Sequence, residues 1–281
     1  PGGFTCNAAA DATSCVVTGL TNGTAYTFTV IATNEIGNSV ASSATSAVTP
    51  QTAASAPSTI TATAGDGQAS VAFSGAVTNG STIANYTVQA YDSNGNAVSG
   101  ATCTTSTSPC TVTGLANGST YTFKVISNST VYGAGSTTAS AVSIASNAVT
   151  PATAPSAPTS VQVSPGTGKV TVSWTEPASN GSPITSYLVQ AYDADGNAVT
   201  GATCTAIAPA TTCDVSANLA AGSNYTFKVT ATSTAGTSLA STASTTAAIN
   251  AAPSVPLSVT AVAGNAAATV SWGSPANING S

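Results

Sequence analysis

The 281-residue sequence contains no histidine, no methionine and no arginine. The first absence removes the commonest general base and the commonest metal ligand, and the last removes the usual clamp for an anion. Charge of either sign is scarce. Charged residues make up 4% of the chain, three Lys+Arg against eight Asp+Glu, where soluble domains usually carry about 25%. Nothing of this composition neutralises a phosphate backbone, so nucleic acid is excluded as a partner, and so is electrostatic adhesion to anionic lipid. No run of about 18 apolar residues occurs, so no membrane insertion is expected in this segment. The chain opens at Pro1 with neither a Met nor a signal-like stretch, which places any targeting signal outside this window.

What is present is apolar enough to fold. Hydrophobic residues make up 42% of the chain and mean hydropathy is +0.25. Disorder needs low hydrophobicity as well as an abundance of Ser and Thr, so order is expected. The polar surface falls to Thr, Ser, Asn and Gln, all neutral.

The sequence repeats itself. "CVVTGLTNGTAYTFTV" (15–30) returns as "CTVTGLANGSTYTFKV" (110–125) and "CDVSANLAAGSNYTFKV" (213–229). A second block, "GQASVAFSGAVTNGSTIANYTVQAYDSNGNAV" (67–98), returns as "TGKVTVSWTEPASNGSPITSYLVQAYDADGNAV" (167–199), and its first half again as "AAATVSWGSPANINGS" (266–281). Phe73, Trp174 and Trp272 mark one position of a repeat about 100 residues long, a usual domain size. Within each repeat the period is two, as in half-buried strands. Val170, Val172 and Trp174 alternate with Thr171 and Ser173, and Tyr121, Phe123 and Val125 alternate with Thr122 and Lys124. Ile184, Tyr187, Val189 and Ala191 outline a third strand. Turn dipeptides separate the strands at 93–95, 116–118 and 194–196. Strands every 8 to 12 residues or so, with no helical stretch between them, indicate a β-sandwich. Pro-containing segments at 48–60, 149–161 and 249–259 punctuate the repeats and read as short, stiff linkers.

These residues resemble fibronectin type III domains, in particular the tandem bacterial kind. The likeness rests on the linker prolines Pro57, Pro158 and Pro256, on the "SWTEP" stretch, and on "NGSPITSYLVQAYD" leading into strand C. It rests also on a Leu followed six residues later by Tyr: Leu20/Tyr26, Leu115/Tyr121 and Leu219/Tyr225. The last pattern resembles the tyrosine corner, which implies buried rings with each hydroxyl bonded to backbone beside the Leu. The implied fold class is all-β, a tandem array of fibronectin type III (Ig-like) β-sandwich domains. The limits are 51–151 and 152–252, with partial domains at 1–50 (strands C′ to G) and 253–281 (strands A and B). Phe73 with "GAVTNG" departs from Trp174 with "EPASNG", so the strand-B core of 51–151 is the less typical. The family's integrin-binding mode needs Arg and is absent.

The cysteines fall as one pair per repeat: Cys6/Cys15, Cys103/Cys110 and Cys204/Cys213. Zinc wants closer spacings and usually converging histidines, and a redox C-x-x-C is missing. Placed on the family's strands, each pair reads as a disulfide across the crossover from strand C′ to strand E, which implies an oxidising compartment and hence a secreted or cell-surface location. Asp193, Asp195 and Asn197 in "DADGN" are calcium candidates, as is the matching "DSNGN" at 92–96, but a hairpin turn needs the same residues and no downstream Glu follows. The N-x-S/T triplets at Asn22, Asn79, Asn85, Asn117, Asn128, Asn180, Asn224 and Asn279 read either as turns or as glycosylation acceptors, and the Thr/Ser-rich surface leaves O-glycosylation open. Lys124 and Lys228 alternate with inward residues and so face outward, against an internal isopeptide. No acids converge for catalysis, and no enzyme activity or cofactor is read. The long segment 128–147 reads as an extended F–G loop whose Val131, Tyr132 and Ile144 either fold onto their own domain or meet a neighbour.

The function this implies is a structural, non-catalytic segment of an extracellular fibre or cell-surface filament. Its partners would be other copies of the protein or further repeats of the chain. A spacer array of a secreted carbohydrate-active enzyme, or a surface adhesin, are the alternatives. Two further expectations follow. Little freedom is expected between the domains at 51–151 and 152–252. Strands from outside the chain, such as the segment around Trp272 of an adjacent copy, are expected to cover Val17, Leu20, Tyr26, Phe28 and Val30.

Overall fold

The period-two stretches of 51–151 and 152–252 become strands, whereas the one around Tyr26, Phe28 and Val30 does not. The structure, a computed structural model, describes residues 3–131, 137–249 and 253–276, and these contain no helix. The chain divides into two compact units, Pro1–Pro151 and Ala152–Ser281.

In the first unit, the described residues up to 50 carry a two-residue ladder, β1 (Thr33–Asn34) against β2 (Gly37–Asn38), and an isolated antiparallel bridge between Tyr26 and Val48. A complete sandwich follows, built from β3 (Thr59–Ala64), β4 (Gln68–Ser74), β5 (Thr82–Tyr91), β6 (Ala97–Thr105), β7 (Cys110–Thr113), β8 (Thr122–Thr130) and β9 (Thr137–Ala139). One sheet has the order β3-β4-β7 and the other β6-β5-β8-β9, all antiparallel. The faces that meet are those the alternation marks. Val71, Val88, Val112, Phe123 and Val125 are fully buried, with Phe73 packed on Tyr86 at 4.7 Å between ring centroids. Asn147 closes the sandwich edge: its amide exchanges two hydrogen bonds with the Ala62 backbone, 2.8 and 2.9 Å.

The second unit repeats the plan with β10 (Thr159–Gly166), β11 (Lys169–Thr175), β12 (Ile184–Tyr192), β13 (Ala198–Ile207), β14 (Thr212–Val215), β15 (Asn224–Ser233), β16 (Gly236–Thr237) and β17 (Ala247–Ala248). Here β10-β11-β14 faces β13-β12-β15-β16, with β17 also paired to β15. Val170, Val172, Tyr187, Val189, Phe227 and Val229 are fully buried, and Trp174 lies on Tyr187 at 5.1 Å. Extra residues in β6 and in β13, opposite Gln89–Tyr91 and Gln190–Tyr192, leave carbonyls of those strands outside the ladder. Gln89 and Gln190 answer them, their side-chain amides donating to Val98 O (2.8 Å) and Val199 O (2.9 Å). Among the described residues after 252, one hairpin forms, β18 (Leu257–Gly264) on β19 (Ala267–Gly273), exposed along almost its whole length.

Two expectations are corrected. Residues 6–17 form no strand, because the strand that would pair with them has no counterpart beside them among the described residues; β7 and β14 owe their ladders to β4 and β11. The segment 128–147 is not one long loop. The strand β8 continues to Thr130, β9 returns along it, and residues 140–146 stay bonded to β8.

Candidate functional site

Three constructions recur from repeat to repeat, and each rests on side chains rather than on strand pairing alone. The first is the cysteine staple. The sulfurs of Cys6 and Cys15, Cys103 and Cys110, and Cys204 and Cys213 are bonded, with Cα separations of 6.1, 6.3 and 6.2 Å, and no cysteine is free. In the two complete sandwiches the bond ties the end of one sheet to the other, since Cys103 lies on β6 and Cys110 on β7, Cys204 on β13 and Cys213 on β14. That placement leaves these sulfurs no metal-binding role.

The second is the corner. The Tyr121 hydroxyl accepts the Ala116 N–H at 3.1 Å and the Tyr225 hydroxyl the Ala220 N–H at 2.9 Å, both rings being buried. Tyr26 does the same with the Thr21 N–H at 3.1 Å but is only half-buried, because no second sheet stands over it. The hydrogen bond from Thr21 favours the phenolate and lowers the Tyr26 pKa below the ordinary tyrosine value.

The third is a ladder of hydroxyls that sequence reasoning missed. Ser140, Ser143 and Ser146 stand every third residue, yet each faces every second residue of β8. The backbone N–H of each serine donates to the carbonyl of Ser127, Val125 or Phe123, at 2.9 to 3.0 Å. The matching β8 N–H groups donate to the serine Oγ atoms, at 2.8 to 3.0 Å, where a true strand would offer a carbonyl. Ser238, Ser241 and Ser244 do the same for Ala231, Val229 and Phe227. Ser39, Ser42 and Thr45 do so for Ala32, Val30 and Phe28. The signal was present as S-x-x-S-x-x-S/T, a period that neither a strand nor a helix template registers.

The remaining candidates take their places around these three. Asp193 Oδ1 accepts the N–H groups of Asp195 (3.0 Å) and Asn197 (2.8 Å), so the carboxylate is engaged in closing its own turn. Asp92 does likewise with Asn94 and Asn96, and the Asn96 N–H foremost holds its carboxyl below the usual value. Among the described residues, no three His, Cys, Asp or Glu side chains are grouped to hold a metal ion. Lys124 lies over the Tyr91 ring and Lys228 over the Tyr192 ring, each 4.7 Å from the centroid. Lys169 pairs with Asp214, whose pKa this contact and the Thr171 hydroxyl lower. Val131 is half-buried, Ile144 is 68% exposed between two hydroxyl rungs, and Tyr132 lies outside the described residues. In the second unit the Tyr187 hydroxyl and Trp174 Nε1 are buried without a partner, and burial foremost, then Glu176, raises the Tyr187 pKa.

The profile of the "Fibronectin type III domain" matches residues 55–146 and again 156–247. The chain belongs to the fibronectin type III family. The two fibronectin type III matches coincide with the two complete sandwiches. Among solved structures, the chain is similar to the FN1–FN3 domains of chicken CNTN1 at 18% identity and a TM-score of 0.40, over 79% of this chain and 76% of that one. A structure described as "Titin kinase and its flanking domains" matches at 30% identity and a TM-score of 0.31, over 35% of this chain and 18% of that one. No curated protein matches the chain. Disulfides in fibronectin type III sandwiches resemble the pattern of extracellular and cell-surface proteins.

Proposed function

We propose that this chain is a structural, non-catalytic stretch of an extracellular fibre or cell-surface filament of the bacterial kind, made of disulfide-stapled sandwich repeats. The repeats occupy 51–151 and 152–252, and 1–50 and 253–281 belong to neighbouring repeats. Its partners are other copies of the protein or further repeats of the same chain. The observation that supports this most is the fate of charge. All three lysines are engaged inside their own sandwich, two over tyrosine rings and one on Asp214. Repeats packed side by side would therefore desolvate few charges, the step that makes polar interfaces costly. An assembly of this kind is insensitive to salt. Sedimentation of the secreted, full-length protein at low salt and at about 1 M, where the screening length is roughly 3 Å, reads this directly. Large species that persist at both support the reading. A protein that is monomeric throughout, or an assembly that dissolves at high salt, overturns it.

A further inference from the structure

Asn-Gly pairs recur at the turns, at 22–23, 79–80, 94–95, 117–118 and 180–181 among the described residues. Glycine has no side chain to shield its backbone nitrogen. That nitrogen is therefore able to reach the carboxamide carbon of the preceding Asn and close a five-membered ring. The fold decides which pairs do so. The Asn79 amide donates to Ala53 O at 3.0 Å, and the Asn180 amide to Ala154 O at 2.9 Å. Asn117 is held at both ends of its carboxamide, donating to Asp66 Oδ1 at 2.8 Å and accepting the Gly67 N–H at 2.9 Å. The next nitrogen is engaged as well, since the Gly118 N–H donates to Pro151 O at 2.9 Å. The Gly23 N–H likewise donates to Pro50 O at 2.8 Å. Each of these bonds joins residues at least 26 apart in sequence, so breaking one disturbs more than a single turn.

Asn94 differs. It stands at the tip of the hairpin between β5 and β6, and residues 93–96 are all exposed. That turn closes through Asp92. Its carboxylate accepts the N–H groups of Asn94 (2.9 Å) and Asn96 (2.8 Å), and its carbonyl accepts the Gly95 N–H (3.0 Å). The Asn94 side chain enters none of these bonds. The bond on the Gly95 nitrogen lies within the turn itself, where local fraying breaks it while the sandwich stays closed. The second repeat shows the same turn with an acid in this place. Asp195 stands there, its N–H on Asp193 Oδ1 at 3.0 Å, with the Asn197 N–H on the same oxygen at 2.8 Å. The Gly196 N–H donates to Asp193 O at 3.1 Å. A carboxylate at the tip leaves the turn as it was.

We propose that Asn94 is a site of spontaneous conversion to aspartate and isoaspartate, a chemical clock carried by the repeat at 51–151. The Gly95 nitrogen bonds to Asn94 Cγ as the Cγ–Nδ2 bond breaks. The proton lost by Gly95 leaves with the departing ammonia, and a succinimide ring remains. Water from the solvent then opens the ring. Opening at Cγ gives aspartate on the original main chain, the arrangement that Asp195 already shows. Opening at the Asn94 carbonyl carbon gives isoaspartate, whose main chain runs through the side chain and is one methylene longer. The Gly95 N–H then no longer meets Asp92 O. Either product adds a carboxylate to a chain whose formal net charge is −5. The chemistry belongs to the turn, and it holds whether or not the chain is part of a fibre.

The test incubates the whole folded chain at mildly alkaline pH, beside the same chain reduced and unfolded in denaturant, and follows each Asn-Gly pair by peptide mapping with mass spectrometry. In the unfolded chain the pairs should convert at similar rates, since glycine follows every one of these asparagines. In the folded chain Asn94 should convert at least about five- to ten-fold faster than Asn22, Asn79, Asn117 or Asn180, the worth of one net hydrogen bond. Both aspartate and isoaspartate should appear at position 94, as two peptides of equal mass that separate on the column. Asn94→Gln, whose longer side chain closes the ring far more slowly, should stop the conversion there and leave the other pairs unchanged. The proposal fails if Asn94 keeps its amide in the folded chain while converting in the unfolded one. It fails equally if another pair converts as fast in the folded chain, or if aspartate forms without isoaspartate, which excludes the ring.

Discussion

Trp174 and Trp272 stand at the same place in the same hairpin. The register of β18 on β19 reproduces that of β10 on β11, residue for residue, down to the irregularity near the start of the first strand, where Ser160 and Ser258 both take a positive φ. Yet Trp174 is 6% exposed and Trp272 is 63% exposed. The hairpin is therefore a local product of alternation and turn residues, while burial is the work of the opposite sheet. Over Trp174 that sheet supplies Tyr187; over Trp272 the described residues supply nothing. The first fifty residues tell the same story from the other side. Val30 is 72% exposed where its counterparts Val125 and Val229 are fully buried, although its hydroxyl ladder is already in place.

This comparison breaks most sharply at the tryptophans. Trp174→Ala should cost its sandwich about 3 to 5 kcal/mol in urea unfolding, whereas Trp272→Ala should stay within about 0.5 kcal/mol. Equal losses would mean that the face around Trp272 is covered in solution. Next in size is the staple. Replacing Cys204 and Cys213 by serine removes a closed loop of about ten residues, and a loss of roughly 2.5 kcal/mol is expected on the chain-entropy estimate. The same change at Cys6 and Cys15 should leave the melting of both complete sandwiches unmoved.

Smaller again is the hydroxyl ladder. Ser143→Ala and Ser241→Ala orphan the buried N–H groups of Val125 and Val229, with an expected loss of about 1 to 3 kcal/mol. Ser42→Ala should cost far less, because water reaches the Val30 N–H. Thermal melts of the three variants, compared with the wild type, decide the order.

The smallest effect is electrostatic. The Asp214 pKa is lowered by Lys169 and Thr171, so the folded state holds the carboxylate more strongly than the unfolded chain does. Its contribution is complete above the unfolded value of about 3.9 and fades as pH falls through the lower folded value. In the sandwich at 51–151, Thr111 holds this position. The acid melting profile of Asp214→Asn should differ from the wild type in the 152–252 sandwich alone, and by little, since the pair is well exposed.

Much of this plan is legible in the sequence. Period-two alternation at Val170, Val172 and Trp174 marks an inward face without reference to what it meets, and the Leu-to-Tyr spacing marks a corner whose bond spans only five residues. What escaped shares one physical character: a side chain satisfying backbone far away in sequence. Asn147 reaches Ala62 and Asn79 reaches Ala53, and Ser143 replaces a carbonyl beside Val125. Nothing local in a sequence distinguishes such an Asn from an ordinary turn residue, and the "NGS" at 79–81 reads equally as turn or as glycosylation acceptor. Ile144 reads as a loop residue for the same reason, since a segment of period three matches no strand template.

That period has a consequence for how these repeats can change over generations. Between the rungs, residues 141, 142, 144 and 145, and again 239, 240, 242 and 243, all point to solvent. A mutation at Val142, Ile144 or Leu239 alters the face shown to a neighbour while the bonds that hold the segment stay with the serines. The margin of each repeat is thus a place where sequence can drift, or be selected, without taxing the core behind it.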